Sequence, residues 1–332
     1  MPKLLTIILN YRTAAMTLRA ADAALHATHK LPSEIVIVDN DSQDGSYETI
    51  RDHATQAGWA ENGRVRVIQA GRNGGYGSGN NIGIRAGMSD GSSPDFVHIQ
   101  NSDAFPAVDA IERLMQYLVA HPDVGIAGSR IVQEDGTDQV GAFRFPSLIS
   151  EFETSVRLGL VSRLFARHRV AQPTPAQTQA VDWLSGASLI MRQSMLDDIG
   201  GFDENIFLYF EETDLCLRAA RAGYGNVFVH DSVVTHIGSV STGMKTWKAT
   251  PDYWYDSRWY YFAKNHGRAY AGLASVLHIT GGCLHFLRCI LFGRKSTIPL
   301  RFLTTMARHD FAALLQRPKR LGAPMSDQQP GE

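Results

Sequence analysis

Two adjacent carboxylates open the segment Tyr209-Phe-Glu-Glu-Thr-Asp-Leu-Cys-Leu-Arg218. At about 100° per residue, Leu208, Leu215, Cys216, Ala219, Ala220 and Ala222 form one apolar arc of a helix. Asp214, Arg218 and Arg221 fall on the opposite, solvated face, where Asp214 and Arg218 pair at i,i+4. Glu212 falls inside the apolar arc and Glu211 at its edge. A carboxylate aimed inward is costly unless it has a partner or a task. Acidic residues also suit a helix N-terminus through the macrodipole, which explains the presence of both but not the direction of Glu212. The chemistry on offer is proton abstraction by a carboxylate in a cleft wall.

Such an acid needs a scaffold, and the N-terminal half has the pattern of one. Apolar runs at Leu4–Leu9, Glu34–Val38, Val65–Ile68 and Phe96–Ile99 read as buried strands. Helices are predicted near Thr13–Ala27, Ser46–Ala57, Gly79–Met88 and Val108–His121, with a fifth strand at Val124–Ala127. This alternation predicts an α/β fold with a mainly parallel central sheet and helices on both faces. The segment Gln133–Thr178 is less regular, and Gln172–Gln179 reads as a mobile loop. Order returns over Val181–Met191. The acid-bearing helix stops near Gly223, a natural C′ residue, and a strand follows at Asn226–His230.

Ligands bind open parallel sheets at the carboxyl ends of the strands. There the chain places Asn10-Tyr-Arg12, Asp39–Gly45, the glycine-rich Arg72–Gly83 and Asn101-Ser-Asp-Ala-Phe-Pro106. Each alone is ordinary turn chemistry; four at one sheet edge point to a binding site. The glycine-rich stretch is neither a Walker A loop nor a dinucleotide fingerprint, and it follows the third strand. Its glycines permit close backbone approach to a ligand, and the next helix could offer N–H groups to a phosphate. Asn101, Ser102 and Asp103 offer hard oxygen ligands, which suit Mg²⁺ or Mn²⁺ held together with substrate phosphates, although a capping turn accounts equally for them.

With 332 residues, 44% hydrophobic and 20% charged, the composition is that of a globular protein. A net charge of −1 gives no global field for nucleic acid. Cys216, Cys283 and Cys289 have no metal or disulfide spacing, which suits a cytoplasmic location. The N-terminus enters a strand at once, so no secretory leader is expected.

Together these residues resemble family 2 glycosyltransferases of the GT-A fold, in particular the rhamnosyltransferase-like branch of cell-surface polysaccharide assembly. The resemblance rests on Ile8-Leu-Asn-Tyr11, Val38-Asp-Asn40, Arg72–Asn81, Asn101-Ser-Asp103, Trp183-Leu-Ser-Gly-Ala187, Gly200-Gly-Phe-Asp-Glu204 and Phe207–Asp214. Asp256–Phe262 and Asn265-His-Gly267 also look like this branch. The resemblance implies that Asn10, Tyr11 and Asp39 hold the nucleoside. Asn73, Gly75 and Asn80 would line the diphosphate pocket, with Asn101 and Ser102 on the donor side. Asp103 matches the last aspartate of the DxD motif, and His236 matches a histidine that completes the metal site in some relatives. Asn101 stands where many members have the first aspartate, so the site has one negative charge fewer. Glu212 stands where the family usually has an aspartate base, one methylene shorter, and the choice between Glu212 and Glu211 stays open. Trp183 and Gly186 would shape the acceptor side. The implied reaction is inverting, metal-assisted transfer of a sugar, L-rhamnose from dTDP-L-rhamnose or a hexose from a UDP donor, to a glycan or lipid-linked acceptor. A glycoside hydrolase, using Asp103 as a second carboxylate, and a non-catalytic sugar-nucleotide-binding module are the competing classes.

The catalytic domain is expected over 1–245, with a nucleotide-binding half to about 130 and an acceptor half beyond it. A helical region follows over 246–317 and a disordered tail over 318–332. Tyr270–Phe292 approaches the length of a membrane span, but His278, Gly281-Gly282, His285 and Arg288 interrupt it. The expectation is a buried helical hairpin, packed on the core or on a second copy in a homodimer. The alternative is a peripheral membrane element flanked by Arg258, Lys264, Arg268, Arg294, Lys295 and Arg301.

Overall fold

The structure is a computed structural model that describes residues 1–238, 249–296, 298 and 300–316. The expected boundary near 245 and the tail over 318–332 lie outside the described residues. The elements run β1 (Leu4–Asn10), α1 (Ala14–Ala27), β2 (Ser33–Asp39), α2 (Ser46–Gln56), β3 (Val65–Gln69), α3 (Gly75–Ala86), β4 (Phe96–Asn101), β5 (Ala104–Pro106), α4 (Ala110–Ala120), β6 (Val124–Val132) and β7 (Ala142–Phe143). They continue with α5 (Leu148–Val156), α6 (Gly159–Leu164), β8 (Gln179–Ala180), β9 (Trp183–Leu184), β10 (Ser188–Arg192), α7 (Gln193–Ile199), α8 (Glu211–Arg221), β11 (Gly225–His236), α9 (Asp252–His266), α10 (Arg268–Leu291) and α11 (Leu300–Leu315).

Two compact units divide these elements. The first takes residues 1–143, 172–204 and 211–238; the second takes 144–171, 205–210 and the described residues from 249 on. This division assigns α5 and α6 to the unit of the C-terminal helices, whereas the sequence pattern groups 131–245 together.

In the first unit the sheet order is β3-β2-β1-β4-β10-β6-β11-β5, with β8 beside β11. The strands β3, β2, β1 and β4 pair in parallel, as do β6 and β11, while β10 runs antiparallel between β4 and β6. The central strands are apolar on both faces because helices cover both: Leu4, Leu5, Ile7 and Ile8 are fully buried, as are Ile35 to Val38.

Here the glycine-rich segment departs from expectation. It is not an open loop. Helix α3 begins at Gly75, one turn before the predicted start. Its glycines face the protein: a Cβ on Gly77 would meet Phe202, one on Gly79 would meet Leu9, and one on Gly83 would meet Ile7. They bring the helix close to β1 and to Phe202 rather than admitting a ligand, the close packing that only glycine allows.

The second unit corrects three further expectations. The stretch predicted as irregular contains α5 and α6. Tyr270–Phe292 is not a hairpin but lies in one 24-residue helix, α10. Gly281 and Gly282 do not break it. They are contact points, where a Cβ would strike Ser155 and the Phe152 carbonyl of α5, or Leu303 of α11. Arg258 does not flank an apolar surface: it is 1% exposed. Its guanidinium donates to Glu151 Oε2 at 2.6 and 3.1 Å, to Asp310 Oδ2 at 3.2 Å and to Ser275 Oγ at 3.1 Å. His278 Nδ1 lies 2.9 Å from the same Glu151 oxygen. Burial alone would raise the Glu151 carboxyl, but Arg258 and His278 outweigh it and hold it at about 2. This network joins α5, α9, α10 and α11 and makes a uniquely paired polar centre for the helical unit. Arg268 is likewise engaged, donating to the carbonyls of Ala313, Leu314 and Gln316 at the end of α11.

The packing of α3 gives a direct expectation. Gly83→Ala gains helix propensity of about 1 kcal/mol. The new methyl would sit 2.6 Å from Ile7 Cγ2 in a fully buried strand. Overpacking costs about 1–3 kcal/mol, so the net effect is a loss of stability. Urea unfolding checks this: the midpoint falls, and an unchanged or higher midpoint contradicts the packing.

Candidate active site

Parallel register brings the polar strand ends together. Asn10 pairs with Asp39 across β1 and β2, and Leu9 with Asn101 across β1 and β4. Asn10 Nδ2 donates to Asp39 Oδ1 at 2.6 Å and to Ser42 Oγ at 3.1 Å, while Thr17 Oγ1 donates to Asn10 Oδ1 at 2.7 Å. Ser42 N and Oγ donate to the two Asp39 oxygens at 3.1 and 2.5 Å. Asn10 and Asp39 are buried, so they hold the loops from beneath, and Tyr11 stands half-buried beside them with the Arg12 guanidinium 5.2 Å from its ring. Arg12, Asp41 and Gln43 all adopt left-handed backbone, with φ of 56°, 57° and 54°. Such strain in non-glycine residues concentrates at functional loops.

Asn40 Nδ2 donates to Asn73 Oδ1 at 2.9 Å, and the Gly75 N–H donates to the same oxygen at 3.1 Å. The second strand end is thereby tied to the start of α3, which carries Tyr76 and Asn80 in its first turns. Asn80 Nδ2 donates back to the Tyr76 carbonyl at 3.0 Å.

Asp103 and His236 meet because β5 leaves the turn after β4 and pairs antiparallel with the end of β11, in register His236 with Ala104. The sequence pattern ends that strand at His230; the strand in fact runs through His236. His236 Nε2 lies 3.1 Å from Asp103 Oδ1 and 3.4 Å from Asn101 Nδ2. Asn101 Oδ1 is buried with no protein hydrogen-bond partner. Ser102, also buried, accepts from Thr13 Oγ1 at 3.3 Å. Among the described residues no three His, Cys, Asp or Glu side chains converge on one point. One carboxylate, one imidazole and an orphaned amide oxygen nonetheless suit a hard divalent cation whose other ligands come from a diphosphate.

Gly186 joins this turn to the acidic helix. Asn101 N donates to Ala187 O at 3.1 Å, which fastens the residue after Gly186 to the end of β4. Tyr76 Oη donates to the Gly186 carbonyl at 2.8 Å. The Gly186 N–H donates to the Glu212 carboxylate. A Cβ on Gly186 would collide with both Glu212 Oε1 and Tyr76 Oη. Trp183, three residues earlier, stacks on Phe143 with ring centres 3.9 Å apart and planes at 12°.

The two glutamates differ in their surroundings. Glu211 is 2% exposed, and its Oε2 has no protein hydrogen-bond partner. Burial, then the neighbouring Glu212 charge, push its carboxyl well above the usual carboxylate range. Glu212 is half-buried. Burial raises it to about 6, partly opposed by the hydrogen bonds from the Glu212 and Gly186 backbone. Both carboxyls are thus shifted upward, and burial and the neighbouring charge act most strongly on Glu211. Burial and the nearby Glu212, Glu211 and Asp103 charges push the Tyr76 hydroxyl up, so it remains a hydrogen-bond donor.

The helix wheel misplaces part of α8. Asp214, assigned to the solvated face, is fully buried, while Ala220 and Ala222 of the apolar arc are exposed. The i,i+4 pair does form, with Arg218 Nε 2.8 Å from Asp214 Oδ2. Arg218 also donates to the carbonyls of Ile199 and Gly201 at 2.8 and 2.6 Å, so the pair pins the segment before the helix. Asn226 Nδ2 donates to the carbonyls of Cys216 and Asp182, tying α8 to the strand that leads to Trp183. Asn81 clamps Phe202 through two 2.9 Å bonds and donates to Glu204 at 3.0 Å. Tyr76 and this clamp escaped the sequence reading. The signal was available: both lie inside the quoted motifs, but only contacts separate a scaffold residue from one facing ligand.

Residues 6–171 match the family model for glycosyl transferase family 2. The N-acetylglucosaminyl-diphospho-decaprenol L-rhamnosyltransferase of Mycobacterium tuberculosis is 31% identical over 231 residues, covering 67% of this chain and 72% of that protein. The solved mannosyltransferase PcManGT from Pyrobaculum calidifontis, in complex with GDP-Man and Mn2+, aligns with a TM-score of 0.51 and 16% identity, over 94% of this chain and 86% of that one. GalNAc-T7 with UDP, GalNAc and Mn2+ aligns with a TM-score of 0.56 and 14% identity, over 94% of this chain and 58% of that one. These likenesses set aside the hydrolase and binding-module readings: the chain has the GT-A fold and belongs to glycosyl transferase family 2, whose activity is glycosyl transfer.

Proposed function

We propose that the chain moves L-rhamnose from a nucleoside-diphosphate donor to a hydroxyl of a cell-envelope glycan or lipid-linked saccharide, with inversion, and that Glu212 is the base. The observation that carries this reading is the half-buried Glu212 carboxylate, set against the Gly186 backbone beside the fully enclosed Glu211. The rhamnosyltransferase relative supports the donor sugar and the lipid-linked class of acceptor. Free cysteines at Cys216, Cys283 and Cys289 are in keeping with a reducing cytoplasm.

In this reading Asn10, Tyr11 and Asp39 frame the nucleoside, and Asn73, Gly75, Asn80 and Ser102 line the diphosphate. Asp103, His236 and Asn101 would hold a divalent cation, as the Mn2+ bound in both solved neighbours suggests. A bound cation supplies positive charge where the diphosphate leaves. The acceptor enters on the Trp183 and Gly186 side. A sugar hydroxyl is a poor nucleophile at neutral pH, so its proton must leave as the new bond forms. Glu212 accepts it. Attack from the face opposite the leaving diphosphate inverts the anomeric carbon without a covalent enzyme intermediate. Tyr76, bonded to the Gly186 carbonyl, steadies the glycine that lies against Glu212.

Kinetics of two isosteric variants test the assignment. Glu212→Gln is expected to lower kcat by about 10²–10⁴-fold while donor affinity stays near wild type. Glu211→Gln replaces the carboxyl whose charged form burial penalises most and should retain most activity. Loss confined to Glu211→Gln assigns the base to the other residue. For the wild type, kcat should fall as pH drops below about 6, where Glu212 gains its proton. The sign for stability is opposite: the raised Glu211 value favours the fold at low pH, and stability declines as pH rises above the ordinary glutamate range. Glu211→Gln should remove that decline in thermal unfolding.

A donor panel tests the substrate. Transfer or slow hydrolysis is expected with dTDP-L-rhamnose in Mn²⁺, and EDTA should abolish it. Turnover with UDP-hexoses alone would replace the donor sugar, and no turnover or binding with any nucleotide sugar would refute the proposed reaction.

A further inference from the structure

Helix α10 has two unlike faces. One packs within the second unit through Ala271, Ala274, Ser275, His278 and Gly281. The other is apolar yet exposed: Leu287 is 52% exposed, Leu291 71% and Phe292 71%. Large apolar surface left to water marks an interaction site. The neighbouring helix α6 repeats the pattern, with Leu160 and Leu164 exposed at 74% and 76%. Arg288 Nη2 donates to the Arg157 carbonyl at 2.7 Å, which sets the start of α6 beside the last turns of α10.

The charge around this face has one sign. No acidic residue occurs between Glu153 and Asp182, or between Asp256 and Asp310. Arg163, Arg167 and Arg169 are exposed on and after α6, and Arg294 and Lys295 are exposed just past α10. A second copy would oppose this cationic rim with another cationic rim, at a cost in repulsion. An anionic lipid surface is complementary to both the charge and the exposed leucines.

Length and composition alone would let α10 cross a membrane. Its packed face opposes that. Ser275 and His278 are bonded to the Asp310, Arg258 and Glu151 network, and a spanning helix would have to leave those partners unpaired in hydrocarbon. We infer that the exposed face of α10 and the basic helix α6 form one docking surface that lies flat on an anionic bilayer without crossing it. This surface is independent of the transfer chemistry, and either reading can fail without the other.

Co-flotation of the purified full chain with vesicles tests it. Binding is expected to vesicles of equal parts phosphatidylglycerol and phosphatidylcholine, and not to phosphatidylcholine alone. Each arginine near the surface is worth about 1 kcal/mol, so the Arg163→Gln/Arg167→Gln pair should weaken partition roughly 30-fold. Leu160→Ser/Leu164→Ser should weaken it at least about tenfold, through lost burial of two apolar side chains. Unchanged melting temperatures and unchanged donor hydrolysis in solution show that both variants remain folded. In cell fractions, release of the wild type by alkaline carbonate supports the flat orientation. Retention until detergent is added overturns it. Equal binding to both vesicle types, binding to neither, or a dimer that dissociates on Leu287→Asp substitution overturns the lipid assignment.

Discussion

Two carboxyl groups on consecutive residues, withdrawn from water at the start of one helix, resist being ionised together. Burial and mutual repulsion each penalise the second charge. The fold resolves this by giving Glu211 and Glu212 different surroundings. Glu211 is the more enclosed: its Oε2 has no protein partner, and burial and the Glu212 charge outweigh its own backbone hydrogen bond and push the carboxyl well above the usual carboxylate range. Glu212 is half-buried, and the Gly186 backbone partly offsets the effect of burial and leaves its carboxyl at about 6. The remainder of the site can be read as what this arrangement requires. Gly186 must lack a side chain, Tyr76 must hold its carbonyl, and the end of β4 must fix Ala187.

That requirement reaches into the scaffold. Tyr76 stands where it does because α3 begins at Gly75 and lies close on β1, which its glycines allow. The β4 end that anchors Ala187 also turns into Asp103, and β5 carries Asp103 to His236. The turn that meets the proposed base and the residues proposed to hold a cation are therefore set by neighbouring strands of one sheet. Precision of this kind is better supplied by strands and helices than by free loops. The Asp214–Arg218 pair and Asn226 then prevent α8 from sliding relative to its neighbours.

Legibility in the sequence followed the physics of each element. Strands β1 to β4 were readable to within one or two residues because a strand buried on both faces must be a continuous apolar run, whereas β6 and β11 run well past their expected ends. The strand-end polar residues were readable because parallel topology sends them to one edge. What escaped was information carried by neighbours. Gly77, Gly79 and Gly83 looked like room for a ligand, since a glycine packed on Ile7 has the same letter as one facing solvent. Gly281 and Gly282 looked like a break for the same reason. The wheel for α8 gave the direction of each residue but not what lies there. It therefore put Asp214 in water and could not show that Glu211 is the more enclosed acid. Arg258 looked like one of several flanking cations, and only Glu151, Asp310 and Ser275 around it reveal a buried network.

The division of labour between the two acids can be observed directly by ¹³C NMR of carboxyl-labelled glutamate, with Glu212→Gln and Glu211→Gln spectra to assign the resonances. Glu212 is expected to titrate near 6, and Glu211 above it. Titration of both groups in the ordinary carboxylate range, or a Glu211 that ionises before Glu212, would contradict this expectation.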